Sequence, residues 1–580
     1  MAKVRILPPE IVSKIAAGEV IERPASVLKE LLENSLDAAA SSIEVMIKGA
    51  GKTVIGIKDN GNGIAKDDID TLFNRHATSK ISSIDDLYRI ASLGFRGEAL
   101  YSIAAVADIT LQSKTATQDN GWEIHVRGAE RLGIRPAAMH TGTAIEVKEL
   151  FFNTPARKKF LKSNTAELNQ ILDIFLPYTL LFPGIRFSLT HESKKMIDLA
   201  AATDPLERVA NALHLDKNDL IEGHKDFPHH NLSIRLLLGD INVQRGRKDM
   251  QFIFINNRPV QNRTLSFHVN EIYRMLLSPG VYPFFCVFIT MPADQLDVNV
   301  HPTKREVKIK DELQLLGLLR PLCEYLLMTR SKARQADRGI FTIPASNEHA
   351  ASDSTPAVET IREPGPAQQT MLSFGHTPPL YETGEIATRQ RADLKEKLTR
   401  SRYLGNLLQK YLLFETDDSL LVIDQHAAQE RIVFERLKNQ LEKGAVEIQD
   451  LLAPILIKLT AQELLLWQEA QKTLEKMGFS TSLFDKETLA LHSHPHLIDN
   501  PEISLRTLLA GENISRMAPE TLARMACRSS VMAGFAMNKE QAEFQRSALL
   551  LCLDPFTCPH GRPTVVEIPE TSLNKQFLRS

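Results

Sequence analysis

The sequence predicts a multidomain α+β protein, and three observations carry that expectation. Residues 1 to about 330 alternate strand-like and helix-like segments, residues 331–395 lose their large apolar side chains, and periodic order returns at Tyr403. A chain of 580 residues has room for about four domains at ~150 residues each. Ile43-Glu44-Val45-Met46-Ile47 and Thr53 to Lys58 read as strands, and Asp67 to Phe73 as a helix. A second unit opens near residue 215, with strands at Leu232 to Leu238, Gln251 to Ile255 and Phe284 to Met291. Its helices are expected around Arg263 to Leu277 and Glu312 to Thr329. Between 331 and 395, Pro344, Pro356, Pro364, Pro366, Pro378 and Pro379 interrupt a Ser, Thr, Ala, Glu and Gln background that cannot bury a core. The expected organisation is therefore 1–214, 215–330, a flexible linker at 331–395, and a C-terminal α+β domain at 396–580, with no internal repeat.

A hydrophobic content of 43% and a charged content of 24% are ordinary for a soluble globular protein. The net charge of −2 argues against a chain coated in basic side chains, so any nucleic-acid contact must come from local patches and be salt-sensitive. Cys286, Cys323, Cys527, Cys552 and Cys558 are scattered, form no CxxC pair, and fit a reducing compartment. The opening MAKVRILPPE lacks an apolar signal core, and no apolar run reaches ~18 residues. A cytoplasmic location without membrane attachment is expected.

The stretch Pro24 to Ala38 begins with Pro, which a first helical turn tolerates, and continues with helical periodicity. Glu30 and Asn34 are four apart on one face, so a carboxylate that can take a proton from water stands one turn from an amide oxygen that can hold Mg²⁺. An isolated pair of that kind equally describes exposed helix polars. Asp59-Asn60-Gly61-Asn62-Gly63-Ile64 follows a strand, where glycines permit close backbone approach and Asp59 can accept a hydrogen bond from a purine amine. Taken singly it is a turn. His76-Ala77-Thr78-Ser79-Lys80 and Gly94 to Leu100 bracket a segment that reads as a lid, and Gly142-Thr143 adds a hydroxyl near a strand.

At the other end, Ser419 to Ile423 reads as a strand, and Asp424 or Gln425 opens a helix in the string DQHAAQERIVFE. His426 and Glu430 are four apart and share a face, the spacing two side chains need to grip one cation. Glu435 lies about 140° round the helix from Glu430 and fits less well. An amphipathic helix with an Asp cap and solvated charges explains the segment equally well. Downstream, Ala526-Cys527-Arg528 precedes an apolar stretch, and the turn Cys558-Pro559-His560-Gly561-Arg562-Pro563 offers a thiolate and an imidazole two residues apart, which with His426 and Glu430 would suit zinc or a similar ion. Two decoys are set aside. Gly49-Ala50-Gly51-Lys52-Thr53 imitates the end of a phosphate-binding loop, but Met46 stands where its first glycine belongs, so a turn between strands is expected. His492, His494 and His496 alternate without a further ligand, and a surface loop is expected there.

In order, the N-terminal pieces resemble the GHKL (Bergerat) ATPase fold shared by gyrase, Hsp90, histidine kinases and MutL. Ile15 to Val20, Glu30 to Ala38, GFRGEAL and Asn153 to Phe160 narrow the resemblance to MutL. DQHAAQERIVFE, ACR, CPHGRP and Phe577-Leu578-Arg579 together resemble the C-terminal endonuclease domain of the MutL mismatch-repair family, in the branch that nicks DNA.

The resemblance implies an N-terminal ATPase sandwich, a transducer domain, a linker, and a C-terminal dimerisation and endonuclease domain. It implies that ATP and Mg²⁺ bind the first domain, with Glu30 the general base, Asn34 the Mg²⁺ ligand and Asp59 the reader of adenine beside Gly61 and Gly63. Thr78, Ser79 and Lys80, with Gly94, Phe95, Arg96, Gly97, Glu98, Ala99 and Leu100, form the phosphate lid on this reading, and Thr143 supports the base end. Lys304, in the stretch Asp297 to Lys304, reaches the γ-phosphate. Arg263 falls at a DNA-contacting position, although a solvated helix charge fits it too, as it does Arg157-Lys158-Lys159. Zn²⁺, Mn²⁺ or both are implied at His426, Glu430, Cys558 and His560, with Asp424 and Glu430 catalytic. Gln449, Leu452 and Pro454 resemble a sliding-clamp motif. Gln369 to Phe374 also has a clamp-like pattern. The implied protein is a homodimeric, ATP-gated nicking enzyme acting on DNA with a mismatch-sensing MutS-type protein and a sliding clamp. A non-nuclease ATPase matchmaker with a purely structural metal is the alternative, and another GHKL machine, such as a chaperone or topoisomerase, the third.

Overall fold

The structure is a computed structural model that describes residues 21–74, 77, 93, 98–274, 276–277, 281–297, 307–338, 385–510, 514, 517–527 and 537–577. It divides into two compact units, Met1–Arg330 with Ile432–Ala533, and Ser331–Arg431 with Gly534–Ser580.

In the first unit, helix α1 (Pro24–Asp37) starts on a proline and buries Val27, Leu28, Leu31 and Leu32. An eight-stranded sheet follows, built from β1 (Ser42–Lys48), β2 (Val54–Asp59), β3 (Asp108–Lys114), β4 (Gly121–Arg127), β5 (Glu130–Ala137), β6 (Gly142–Lys148), β7 (Arg186–His191) and β8 (Lys194–Leu199). Its order is β5-β4-β3-β6-β2-β1-β7-β8, with β1 and β7 parallel next to the β8 edge. Alternate residues of β1 are buried, as Ile43, Val45 and Ile47 require for a sheet covered on one face. Helices α2 (Ala99–Val106) and α3 (Asn164–Leu181) join α1 in the same apolar core through Ile103, Ile171 and Phe175. The expected turn at Gly49–Gly51 is a single 3₁₀ turn with positive φ at Gly49, Ala50 and Gly51, and β2 follows it. Only Lys66–Ile69 of the expected helix at Asp67 to Phe73 is α-helical, the rest being turns.

A five-stranded sheet comprises β9 (Leu220–Phe227), β10 (Leu232–Gly239), β11 (Gln251–Ile255), β12 (Arg258–Val260) and β13 (Phe285–Thr290), in the order β12-β11-β13-β10-β9. Helices α4 (Arg263–Tyr273) and α5 (Glu312–Arg338) accompany it. α4 stops short of the expected Leu277, whereas α5 runs beyond Thr329 into the segment expected as linker.

The second unit holds helix α6 (Glu385–Arg400), which also falls partly within the expected linker, and a sheet of β14 (Arg402–Leu407), β15 (Tyr411–Glu415) and β16 (Ser419–Asp424), closed at its far edge by a late strand at Val565–Pro569. Helix α7 (Gln425–Lys443) leaves β16 directly. In the first unit, β17 (Ile448–Lys458) is an edge strand beside β18 (Ser480–Leu483) and β19 (Thr488–Pro495), in the order β17-β19-β18. β20 (Val565–Pro569) is the late strand named above. The expected histidine loop is corrected here: His492 and His494 lie within β19, and His494 is buried, its Nδ1 3.0 Å from the Pro495 carbonyl oxygen. Alternation at period two is a strand signature, and the adjacent proline stands at the strand end, where it is tolerated.

Candidate nucleotide and metal sites

Glu30 and Asn34 emerge half-buried from the otherwise buried α1, one turn apart. Beside them, Asp59 ends β2 and pairs in register with Thr143 on β6. Ser35 Oγ donates to Asp59 Oδ2 at 2.8 Å, while Gly61 N and Thr143 N donate to Oδ1 at 2.9 and 3.2 Å. Burial pushes the Asp59 pKa above its ordinary 3.8, against the pull of these donors. The backbone around it has no room for side chains. A Cβ on Gly142, whose φ is +129°, would lie 2.1 Å from the Asp59 carbonyl oxygen, and one on Gly63 would lie 2.0 Å from that of Lys114. Ser113 links this corner, its Oγ 2.9 Å from Thr143 Oγ1, and it accepts from Ile64 N at 2.8 Å.

The structure thus brings together Asp59, Gly61, Gly63 and Thr143 below the face that carries Glu30 and Asn34. Glu98, Ala99 and Leu100 stand at the start of α2. Thr78, Ser79, Lys80, Gly94, Phe95, Arg96, Gly97 and Lys304 lie outside the described residues, as do Ile15 to Val20. Arg263 is an exposed residue at the first position of α4, which Asn262 caps. Sequence reasoning missed Ser113, a strand residue whose partners are distant in the chain.

In the second unit, Asp424 ends β16 and caps α7, its Oδ1 accepting from His426 N at 2.9 Å and Ala427 N at 3.0 Å. The helix then presents His426 and Glu430 on one side. A tight turn holds the other half: Cys558 N donates to Arg562 O at 2.7 Å, and Gly561, with φ +85°, donates to Cys558 O at 3.0 Å. Arg431 Nε donates to Thr557 O at 2.5 Å and ties the turn to the helix. Glu430 Oε1 lies 3.4 Å from His426 Nε2, and Oε2 lies 3.3 Å from His560 Nδ1. Ligand atoms of Glu430, Cys558 and His560 all fall within 4.8 Å of one another. Burial opposes the Glu430 charge, but His426 and His560 overcome it and bring its pKa to about 2. Cys558 first and Glu430 second raise His560 to about 9.

Thiolate, imidazole and carboxylate donors at this separation suit a divalent ion such as zinc. His426 Nε2 faces Glu430 Oε1, while its Nδ1 is buried without a hydrogen-bond partner. Asp424 adjoins the cluster through the cap. Cys527 belongs to the apolar core of the first unit. On β17, Gln449, Leu452 and Pro454 are exposed, in a stretch where the register with β19 shifts between Asp450 and Ile455.

Residues 21–140 match the histidine kinase-, DNA gyrase B- and HSP90-like ATPase family, residues 217–327 the DNA mismatch repair protein C-terminal domain, and residues 404–537 the MutL C terminal dimerisation domain. Together with the glycine-walled Asp59 corner, these matches define a GHKL-type ATPase that carries a dimerisation domain. The DNA mismatch repair protein MutL of Clostridium tetani is 31% identical over 624 residues, and that of Dictyoglomus turgidum 33% identical over 602 residues, each covering 100% of both chains. The chain belongs to the MutL family of DNA mismatch repair proteins. The Aquifex aeolicus MutL ATPase domain complexed with ADP is 29% identical, covers 52% of this chain and 98% of its own, and superposes with a TM-score of 0.38. Among the described residues no helix is long and apolar enough to cross a membrane.

Proposed function

We propose that this mismatch-repair ATPase is a homodimeric, ATP-gated clamp that nicks DNA through its C-terminal metal site. The observation that carries the reading is the convergence of Glu430, Cys558 and His560, with His426 beside them, from segments far apart in the chain. The proposed domains are 1–214 for ATP, 215–330 as transducer, 331–395 as linker and 396–580 for dimerisation and cleavage.

In the ATPase half, Glu30 takes the proton of the attacking water, Asn34 holds Mg²⁺ through its amide oxygen, and Asp59 accepts from the adenine amine. Thr143 supports Asp59 by its backbone N–H. Thr78 to Lys80, Gly94 to Leu100 and Lys304 close over the phosphates. In the C-terminal half, His426, Glu430, Cys558 and His560 hold Zn²⁺ or Mn²⁺. A bound ion there supplies Lewis-acid activation of a phosphodiester and its attacking water. Asp424, whose Oδ1 is engaged by the helix cap, receives the water proton at Oδ2. Arg263 contacts the DNA backbone, and Gln449, Leu452 and Pro454 dock on a sliding clamp, with a MutS-type protein supplying the mismatch signal.

Nicking of supercoiled plasmid in Mn²⁺ with clamp present tests the reading. Wild type is expected to nick, and Asp424→Asn to lose nearly all of that activity. Equal nicking by both, or none by wild type, sinks the nuclease assignment and favours a matchmaker with a structural metal.

A further inference from the structure

Helix α1 carries a polar cluster on the side that faces the core. Lys29, Glu33 and Tyr178 are 9%, 2% and 3% exposed, and Tyr178 belongs to the same apolar core as Val27, Leu28, Leu31 and Phe175. Tyr178, on α3, donates from its hydroxyl to Glu33 Oε1 at 2.5 Å. The same Oε1 lies 3.1 Å from Lys29 Nζ, and Lys29 Nζ lies 3.6 Å from Glu30 Oε1. Burying an ion pair and a phenol where aliphatic side chains would pack is a poor route to stability, because desolvation offsets much of the Coulomb gain. The chain of contacts has one end fixed in the core, at Tyr178, and the other at a half-buried carboxylate, Glu30.

We propose that Lys29, anchored by Glu33 and Tyr178, is the positioning residue that fixes the Glu30 carboxylate for attack on ATP. The proposal rests on the reading of Glu30 as general base. A glutamate on a helix has freely rotating side-chain bonds, and a base is effective only within hydrogen-bond reach of the water it deprotonates. An ammonium paired with Glu33 and drawn to Glu30 by charge across 3.6 Å, with no hydrogen bond at its Nζ, limits that freedom by electrostatic attraction. Tyr178 stays a hydroxyl donor, since burial first and the Glu33 carboxylate second push its phenol well up, against a smaller opposing pull from Arg258. Lys29 and Tyr178 also line a cavity of about 250 Å³ into which Asp173, Lys248 and Asp249 bring charge. That cavity gives a small amine access to the place of the Lys29 ammonium.

The test is steady-state ATP hydrolysis by the full chain, with binding of a non-hydrolysable ATP analogue measured alongside. Lys29→Met is expected to lower kcat about 10- to 100-fold with KM for ATP within about twofold, and Tyr178→Phe, which keeps the packing, to lower kcat several-fold. Methylammonium is expected to restore part of the Lys29→Met turnover, and Lys29→Arg to retain more than Lys29→Met. Wild-type kcat in Lys29→Met overturns the proposal. So does a loss of kcat matched by loss of analogue binding, or one that no amine rescues. Glu30→Gln separates the two layers: substantial turnover in that variant overturns the base assignment itself and this proposal with it. An inactive Glu30→Gln beside a fully active Lys29→Met overturns the positioning role alone.

Discussion

Asp59 shows how a single residue is made fit for its partner. Three donors satisfy it from α1, the Gly61 turn and β6, yet burial still raises its pKa. An ionised carboxylate is the stronger acceptor for an adenine amine, so on the proposed reading ATP affinity is expected to fall, as the solution is acidified, from a pH above the ordinary 3.8. Asp59→Asn is expected to weaken ATP binding by about 1–3 kcal/mol and to abolish that acid limb, since its amide does not titrate there. Calorimetric titration of the nucleotide at several pH values checks both, and an unchanged acid limb in the variant refutes the assignment. Around Asp59 the sequence was informative in one sense only. The glycines announced a close approach, but Ser113 and the link from Tyr178 to the Lys29–Glu33 pair carried no local signal, because those partners meet only when distant segments pack.

Elements whose period is strong were legible, and those whose identity depends on a neighbour were not. The strand into Asp424 and the helix after it follow from an apolar β-branched run and a capping carboxylate. His426 and Glu430 were paired by helical spacing alone, and Cys558 with His560 by a Pro and Gly turn. Nothing local joined the two halves, whose meeting depends on β20 adding to the sheet beside β16. The histidines of β19 departed from expectation because pairing with β17 and β18, rather than residue preference, set them. β17 offers a direct element-scale test. Leu452 is fully exposed, so replacing it removes no core contact. Leu452→Glu is expected to leave thermal stability within about 0.5 kcal/mol of wild type while clamp binding in a surface-plasmon assay is lost. Retained clamp binding would show that the exposed leucine serves another purpose.

At the scale of the whole molecule, an ion cluster around Glu463 contributes to the response to acid. Within the first unit Glu463 lies 3.2 Å from Arg245 Nη1 and 2.8 Å from Arg506 Nη1. Burial opposes its ionisation, but the two guanidiniums prevail and bring its pKa from 4.5 to about 2. A depressed folded-state pKa means stability that is present above the unfolded value and drains away as pH falls through the folded one. Glu463→Gln is therefore expected to lower Tm at neutral pH, and the gap to wild type to shrink between pH 4.5 and about 2. Melting curves at stepped pH decide this; a gap constant with pH excludes a role for the carboxylate charge.

The sheet orders also impose a timetable. β1 meets its parallel neighbour β7 only after Arg186–His191 has been made, and from that point the Asp59 corner has every strand it uses. The Glu430–Cys558–His560 cluster, the proposed cleavage centre, waits for Cys558 and His560 and for the strand Val565–Pro569, made far later on the ribosome. Domains fold as they emerge, at about 5–20 residues per second. A nascent chain therefore completes the Asp59 corner well before the Glu430–Cys558–His560 cluster, so on the proposed reading any cutting would wait for the nearly finished chain.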